Sequence, residues 1–240
     1  EIYMGRCGVE AGEGGAQLAR EIVQLPGVKF RGIWSHDLST PDVVDFEERK
    51  AKHHVALEGV IRSKHLIEAE GIDVEIVSCG FSATWNITPE FSAEITDVQV
   101  GSYVLMDWPY QQMEGMEDFQ CALTVLTTVM SKNQAKGDRK NVIITDCGIK
   151  SIATEHTADY SINAFPKVKD LPGAEVIAHS EAHGLIQVSE EDFQRIQVGD
   201  TLELIPPHCC GTCNLHDQFY AVRGDRVDAV WPIEARGAAT

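Results

Sequence analysis

The feature that most constrains the fold is an alternation over the first hundred residues. Glu1–Met4 reads as a short strand. Gly14–Leu25 carries apolar residues at helical spacing and stops at Pro26-Gly27. Lys29–Trp34 reads as a strand, Val44–Glu70 as a long helix closed by Gly71, and Asp73–Val77 as a strand running into Ser78-Cys79-Gly80. Strand, helix, strand, helix, strand at this spacing predicts βαβ units and a parallel sheet. Ligands in such folds sit at the C-terminal ends of strands. Those ends are Gly5-Arg6, Ser35-His36 and Ser78–Thr84.

The pattern changes after about Tyr103. Tyr103–Met106, Cys121–Met130, Asn141–Thr145, Ala174–Ile177, Leu185–Val188, Thr201–Ile205, Phe219–Val222 and Val227–Trp231 read as strands. Turn residues separate them, among them Lys136-Gly137-Asp138 and Arg223-Gly224-Asp225, which predicts a mostly antiparallel β domain. The boundary is expected in the Met-, Gly- and acid-rich stretch Gln111–Asp118, dividing the chain into 1–112 and 113–240.

Charge narrows the function. Against 37 acidic residues the 240-residue chain has 20 Lys and Arg, a formal charge of −17. That excludes a nucleic-acid sleeve, which needs a basic surface, and disfavours an anionic membrane surface. No apolar run approaches the roughly 20 residues that span a bilayer, and no leader is expected. The chain opens at Glu1-Ile2-Tyr3-Met4-Gly5-Arg6, a strand already entering a turn, and reads as a piece that lacks an N-terminal part. Its seven Cys are odd in number, which favours a reducing cytoplasmic setting with free or metal-bound thiols.

The densest chemistry lies in Pro206-Pro207-His208-Cys209-Cys210-Gly211-Thr212-Cys213-Asn214-Leu215-His216-Asp217. Thiolate and imidazole together suit zinc. Three arrangements are open: a closed site of His208, Cys210, Cys213 and His216; an open site using only some of them; or reduced thiols in a tight turn without metal. The turn Ser78-Cys79-Gly80-Phe81-Ser82-Ala83-Thr84 follows a strand where a phosphate is often held, because small residues admit backbone N–H groups. It lacks the Gly-Lys-Ser/Thr of a P-loop. Arg6 and His36 stand at strand ends as an anion partner and a ring, although a lone Arg or His is more often structural. Ser180-Glu181-Ala182-His183-Gly184 sets an acid near a His, and Lys52-His53-His54 is expected on a solvated helix face.

Taken in order, these segments resemble the D-threonine aldolase and D-serine dehydratase family, pyridoxal 5'-phosphate enzymes with an alanine-racemase-like barrel. The resemblance is carried by Met4-Gly5-Arg6-Cys7-Gly8, Glu75–Ser78 with its following turn, Val100–Asp107, Asp146–Ser151, Ser180–Gly184, Pro207–Asp217, and Trp231-Pro232 before Ala235-Arg236-Gly237. It implies the C-terminal half of a (β/α)8 barrel followed by an antiparallel β domain. It also implies a homodimer at full length and a small D-3-hydroxy amino acid as substrate. By the same resemblance, Arg6 would lie near the cofactor's phenolic oxygen and His36 beside its ring, where aldolase-type members often carry Tyr. Gly80, Ser82 and Thr84 would hold the phosphate, in a turn where Cys79, Phe81 and Ala83 replace the family's glycines. Gln99 would approach the pyridine nitrogen. His208 and Cys210 would bind Zn2+ (or Mn2+/Mg2+). His183 lies in a recurrent family motif without an assigned proton-transfer role.

Family members with His-x-Asp tend to be aldolases and those with His-x-Cys tend to be dehydratases, so His208-Cys209-Cys210 favours a dehydratase of D-serine or 3-hydroxy-D-aspartate type. A D-threonine aldolase-type lyase and a non-catalytic zinc-binding homologue are the alternatives. The family's Schiff-base Lys lies on the first barrel strand, upstream of every segment here. Lys150 follows Asp-Cys-Gly in the β domain, and no lysine of this chain matches that position. The chain by itself is therefore expected to be inactive.

Overall fold

The computed structural model describes residues 5–36, 40, 42–133, 140–154 and 165–238. The expected strand at Glu1–Met4 and the turn Lys136-Gly137-Asp138 lie outside them. The chain divides into two compact units. The first comprises Glu1–Tyr103 and Gln112–Asp118, and the second Val104–Gln111 and Phe119–Thr240.

In the first unit, helix α1 (Glu13–Ile22) precedes strand β1 (Gly32–Trp34), and helix α2 (Phe46–Ala69) precedes strand β2 (Ile76–Cys79). A short helix α3 (Thr88–Phe91) then leads to strand β3 (Asp97–Val98). The three strands pair in parallel in the order β1-β2-β3, as the alternation predicted. Helix α2 starts and stops for local reasons. The Asp45 carboxylate caps α2 by accepting from the Glu48 N–H at 2.7 Å, with Glu47 and Glu48 in the first turn. Gly71, at φ 77°, ends the element. Ala16 and Ala19 of α1 and Ala56, Val60 and Ile67 of α2 pack with Val74 and Val77 in one buried cluster. Small residues on α1 let the two helices approach closely over the sheet.

Arg49 of α2 is fully buried although charged. Its guanidinium donates to the carbonyls of Val43 (2.8 Å), Val44 (2.9 Å) and Ala83 (3.1 Å) and to that of Glu114. Burial pulls its pKa down, opposed by Glu114, Asp45 and Glu117. The predicted solvated face at Lys52-His53-His54 is corrected here. Lys52 does pair with Glu48 at the surface (2.8 Å). His53, however, is fully buried and bonds through Nε2 to Thr88 Oγ1 at 2.8 Å. The helix turns that position toward α3, which only the tertiary fold specifies.

In the second unit, helix α4 (Trp108–Gln111) is followed by strands β4 (Val125–Asn133), β5 (Val142–Thr145), β6 (Lys167–Val168), β7 (Glu175–His179) and β8 (Gly184–Gln187). Helix α5 (Glu190–Arg195), strand β9 (Thr201–Ile205), helix α6 (Cys209–Asn214) and the hairpin of β10 (Gln218–Arg223) and β11 (Arg226–Pro232) complete it. Six strands form one antiparallel sheet in the order β6-β9-β4-β5-β8-β7. Edge strands β6 and β7 contact one another, curling the sheet toward a barrel. Its interior holds Val125, Val129, Ile143, Val176, Ile186 and Leu204, supplied by the alternate residues of half-buried strands, with Ile152 from the loop after β5 and Phe193 from α5. The strand expected at Tyr103–Met106 is instead a 3-10 turn, Ser102–Val104. Tyr103 and Val104 are exposed there, whereas Met106 is fully buried. Among the described residues no helix is long and apolar enough to cross a membrane.

Replacing Arg49 with Met removes the donor for four carbonyls in a closed interior. Leaving buried acceptors unmade costs about 1–3 kcal/mol each before relaxation, so Arg49→Met is expected to destabilise the first unit by about 3 kcal/mol or more. Urea denaturation of the variant checks this, and an unchanged midpoint would contradict it.

Candidate active site

Parallel pairing places the first unit's strand ends side by side. The Ser35 N–H donates to the Ser78 carbonyl (2.9 Å) and the Gln99 N–H to the Cys79 carbonyl (3.2 Å), carrying the ladder past the strands. Gln99 Nε2 donates to the Ser35 carbonyl (3.4 Å) and to Ser78 Oγ (3.1 Å). Ser78 Oγ in turn donates to Asp97 Oδ1 at 2.5 Å. The Gln99 side chain is therefore anchored across three adjoining strand ends. His36 lies edge-on to Phe81, with ring centroids 5.5 Å apart. Arg6 is exposed, and Arg6 and His36 line one cavity of about 280 Å3, walled largely by apolar side chains such as Leu18, Ile22 and Ile33.

The small-residue turn is built from within. Gly80 has φ 77°, and a Cβ there would stand 2.4 Å from Thr88 Oγ1, so only glycine fits. Thr84 Oγ1 accepts from the Phe81 N–H and from Thr88 Oγ1, both at 3.1 Å, and donates to the Phe81 carbonyl at 3.3 Å. Ser82 Oγ accepts from the N–H groups of Gly101 and Tyr103, both at 3.2 Å. The Thr84 hydroxyl is thus engaged as donor and acceptor within the protein, and Ser82 Oγ accepts two of its bonds. The backbone N–H groups of Ser82 and Ala83 are different: both residues are buried, and among the described residues neither N–H has an acceptor. Two adjacent buried donors without partners suit an anion such as a phosphate.

The chemistry-dense segment lies in the second unit, at the start of α6. His208 precedes the helix, and its carbonyl accepts from Thr212 Oγ1 at 2.8 Å. Thr212 Oγ1 also accepts from the Ala153 N–H at 3.1 Å, tying the turn to the 148–153 loop. His208 Nδ1 stands 2.7 Å from Asp107 Oδ2, and the Cys209 N–H donates to Asp107 Oδ1, also at 2.7 Å. Burial opposes the charge on Asp107, but these bonds outweigh it and hold the carboxyl below its usual range. Burial likewise opposes a charged His208, yet Asp107 and Cys210 lift the imidazole to about 10. Hydrogen bonds from Cys209 and His208 bring the exposed Cys210 thiol down to about 4. The bond to Cys210 and burial push Cys209 up, and burial raises Cys213.

His208 and Cys210 therefore form an adjacent imidazolium–thiolate pair, which becomes a donor set suited to a soft divalent metal once the metal displaces the ring proton. The four-ligand arrangement with Cys213 and His216 is not assembled. His216 Nε2 is engaged by the Ser151 carbonyl at 2.7 Å. Among the described residues no group of three or more His, Cys, Asp or Glu is gathered as for a metal. His183 stands at the β7–β8 turn with an exposed ring, its carbonyl accepting from the Ser180 N–H at 2.8 Å. Glu181 pairs with Lys150 (2.8 Å) rather than with that imidazole. Asp107 escaped the sequence reading as a site residue: it lies 101 positions from His208, and no local spacing marks it.

Comparison with known proteins fits this architecture. Residues 1–109 match the alanine racemase N-terminal domain, and residues 122–222 match the putative serine dehydratase domain. The fold is that of the alanine-racemase-like enzymes. The crystal structure of D-threonine aldolase from Filomicrobium marinum superposes with a TM-score of 0.84 at 27% identity, covering 98% of this chain and 61% of that one. A 3-hydroxy-D-aspartate aldolase of Paracoccus denitrificans (strain Pd 1222) is 31% identical over 97% of this chain and 58% of its own length. A D-threonine aldolase of Arthrobacter sp is 32% identical over 99% and 59%. The chain belongs to the D-threonine aldolase and D-serine dehydratase family, and it spans about three-fifths of the length of these relatives.

In chelator-treated protein, Cys210 is expected to be alkylated by iodoacetamide well before Cys213. Its rate should be nearly flat from pH 5 to 8, because a thiol at about 4 is already thiolate there. The Cys213 rate should climb through the same range. Peptide mapping by mass spectrometry reads both, and equal rates with parallel pH dependence would contradict the assignment.

Proposed function

We propose that the protein to which this chain belongs is a pyridoxal-phosphate- and divalent-metal-dependent lyase acting on D-3-hydroxy amino acids, of D-serine or 3-hydroxy-D-aspartate dehydratase type. Residues 1–112 would serve the cofactor and residues 113–240 the metal. The observation that carries the reading is the imidazole–thiolate pair of His208 and Cys210 beside a buried carboxylate. When bound, the cofactor supplies an electron sink for charge at Cα and the metal a Lewis acid for the poor leaving group at Cβ.

The chain's own residues prepare that chemistry. Ser82 and Ala83 offer two buried N–H groups to the phosphate, while the hydroxyls of Ser82 and Thr84 and the left-handed Gly80 hold the turn in shape. Arg6 presents a cation in the cavity it shares with His36, matched to a phenolic oxygen. Phe81 sets the tilt of His36 beside the ring. Gln99, fixed by Ser35 and Ser78, would be the residue to approach the pyridine nitrogen. His208 and Cys210 hold the metal, and the thiolate favours zinc over manganese or magnesium. With only two protein donors, substrate and water have room to bind.

Retro-aldol cleavage is the second reading, and the Paracoccus and Arthrobacter relatives, both named as aldolases, favour it. The products separate the two. Assayed at full length with D-serine, D-threonine and 3-hydroxy-D-aspartate, a dehydratase releases ammonia and a keto acid, whereas an aldolase releases glycine and an aldehyde. Either activity should be lost with chelator and restored by zinc. No product from any substrate would leave a non-catalytic homologue.

The lysines of the first unit argue that the cofactor's lysine is not among them. Lys29 pairs with Glu75 (3.2 Å), Lys50 with Glu90 (3.1 Å), Lys52 with Glu48 (2.8 Å) and Lys64 with Glu68 (2.7 Å), and none stands at the C-terminal end of a strand. Borohydride treatment of this chain with pyridoxal phosphate is therefore expected to leave no stoichiometric pyridoxyl-lysine. A single stoichiometric site found by peptide mapping would overturn this.

A further inference from the structure

We infer that Asp107 is the positioning residue of the metal site: one buried carboxylate fixes both donors, His208 and Cys210, and directs the metal to His208 Nε2. The inference rests on the metal-site reading above and adds to it the residue that gives the pair its geometry.

Both carboxylate oxygens are engaged within one run of sequence. Oδ2 lies 2.7 Å from His208 Nδ1, and Oδ1 accepts the Cys209 N–H at 2.7 Å. A buried charge persists only where its lone pairs are satisfied, and these two bonds hold a side chain that is 2% exposed. An ionised carboxylate has no proton to give, so Nδ1 is the donor in that contact. The ring's other nitrogen, Nε2, is then the one whose proton a metal would displace. The second bond holds the backbone between the two donors. With Cys209 N fixed, His208 and Cys210 cannot turn independently.

Asp107 is itself held firmly. Met106 has φ 63°, a left-handed conformation unusual for a non-glycine residue, and it aims the next side chain inward. The Trp108 N–H donates to the Pro206 carbonyl (3.4 Å) and the Ala122 N–H to the Leu105 carbonyl (2.8 Å). Segment 105–108 is thereby joined on one side to the residues just before His208 and on the other to the chain entering β4. The site is thus assembled from two stretches a hundred residues apart, with the carboxylate as the link. Thr212 completes the frame from below through the His208 carbonyl.

The test uses the 240-residue chain, zinc, and a chromophoric chelator as competitor. Asp107→Asn keeps the volume but cannot accept at both positions. Its folded form is expected to bind zinc about 10- to 100-fold more weakly than wild type, the usual effect of removing such a partner. A purely structural role would lower the melting temperature and leave the affinity of the folded protein unchanged. Should Asp107→Asn fail to fold, nitrogen NMR of the His-labelled wild type decides. Zinc should perturb Nε2 of His208, with Nδ1 staying protonated. Metal at Nδ1, or equal zinc affinity in folded wild type and Asp107→Asn, would overturn the role while leaving the metal site standing. Zinc binding by wild type no tighter than by His208→Ala would overturn the metal site and this role together.

Discussion

Parallel pairing of β1, β2 and β3 is the constraint on which the first unit depends. Strands that run the same way finish along the same edge, so Ser35-His36, the 80–84 turn and Gln99 meet there, and the Gln99 side chain and the His36–Phe81 contact join them. Arg49 supports that edge from behind, through the carbonyls of Val43, Val44, Ala83 and Glu114. Behind the turn, His53, Thr88 and Thr84 form a buried line of polar groups. The turn's shape is held from within by the hydroxyls of Ser82 and Thr84, which leaves the backbone N–H groups of Ser82 and Ala83 unpaired.

The second unit reaches its site by a different route. An antiparallel sheet scatters its strand ends over both edges, so sheet topology alone gathers nothing. The gathering is done by a single charge. Asp107 binds the His208 ring and the Cys209 backbone at once, and the resulting His-x-Cys pair is polarised, with one thiol pulled down to about 4 and its neighbours held up by burial and mutual bonding. Three cysteines within five residues thus have separate fates. Cys209 is buried and Cys213 half-buried, both within α6, and Cys210 is exposed with its thiol pulled down by hydrogen bonds from Cys209 and His208.

Much of this was legible in the sequence. Helical spacing in α1, the long helix pattern of α2 with its Gly71 stop, and alternation in the β-domain strands are local patterns that survive folding. What was not legible depends on distance. Tyr103–Met106 has strand-like composition, yet backbone bonds from segment 105–108 to Ala122 and Pro206 fix it as an irregular turn. His53 reads as part of a charged face, but Thr88 lies 35 residues further on and decides otherwise. The pairing of Asp107 with His208 leaves no periodic trace. Residue types alone mark Gly80, Ser82, Thr84 and Gln99 as candidates, whereas which atoms stay unpaired there follows only from the bonds to Phe81, Thr88, Gly101 and Tyr103.

The central claim is that the metal is held by one thiolate and one imidazole in an open site. X-ray absorption at the zinc edge of the zinc-loaded protein tests it most directly. The account predicts one sulfur at about 2.3 Å and one imidazole nitrogen at about 2.0 Å, the rest of the shell being oxygen from water. Two sulfurs and two imidazoles would contradict it, because Cys213 and His216 would then be ligands and no position would remain for a substrate.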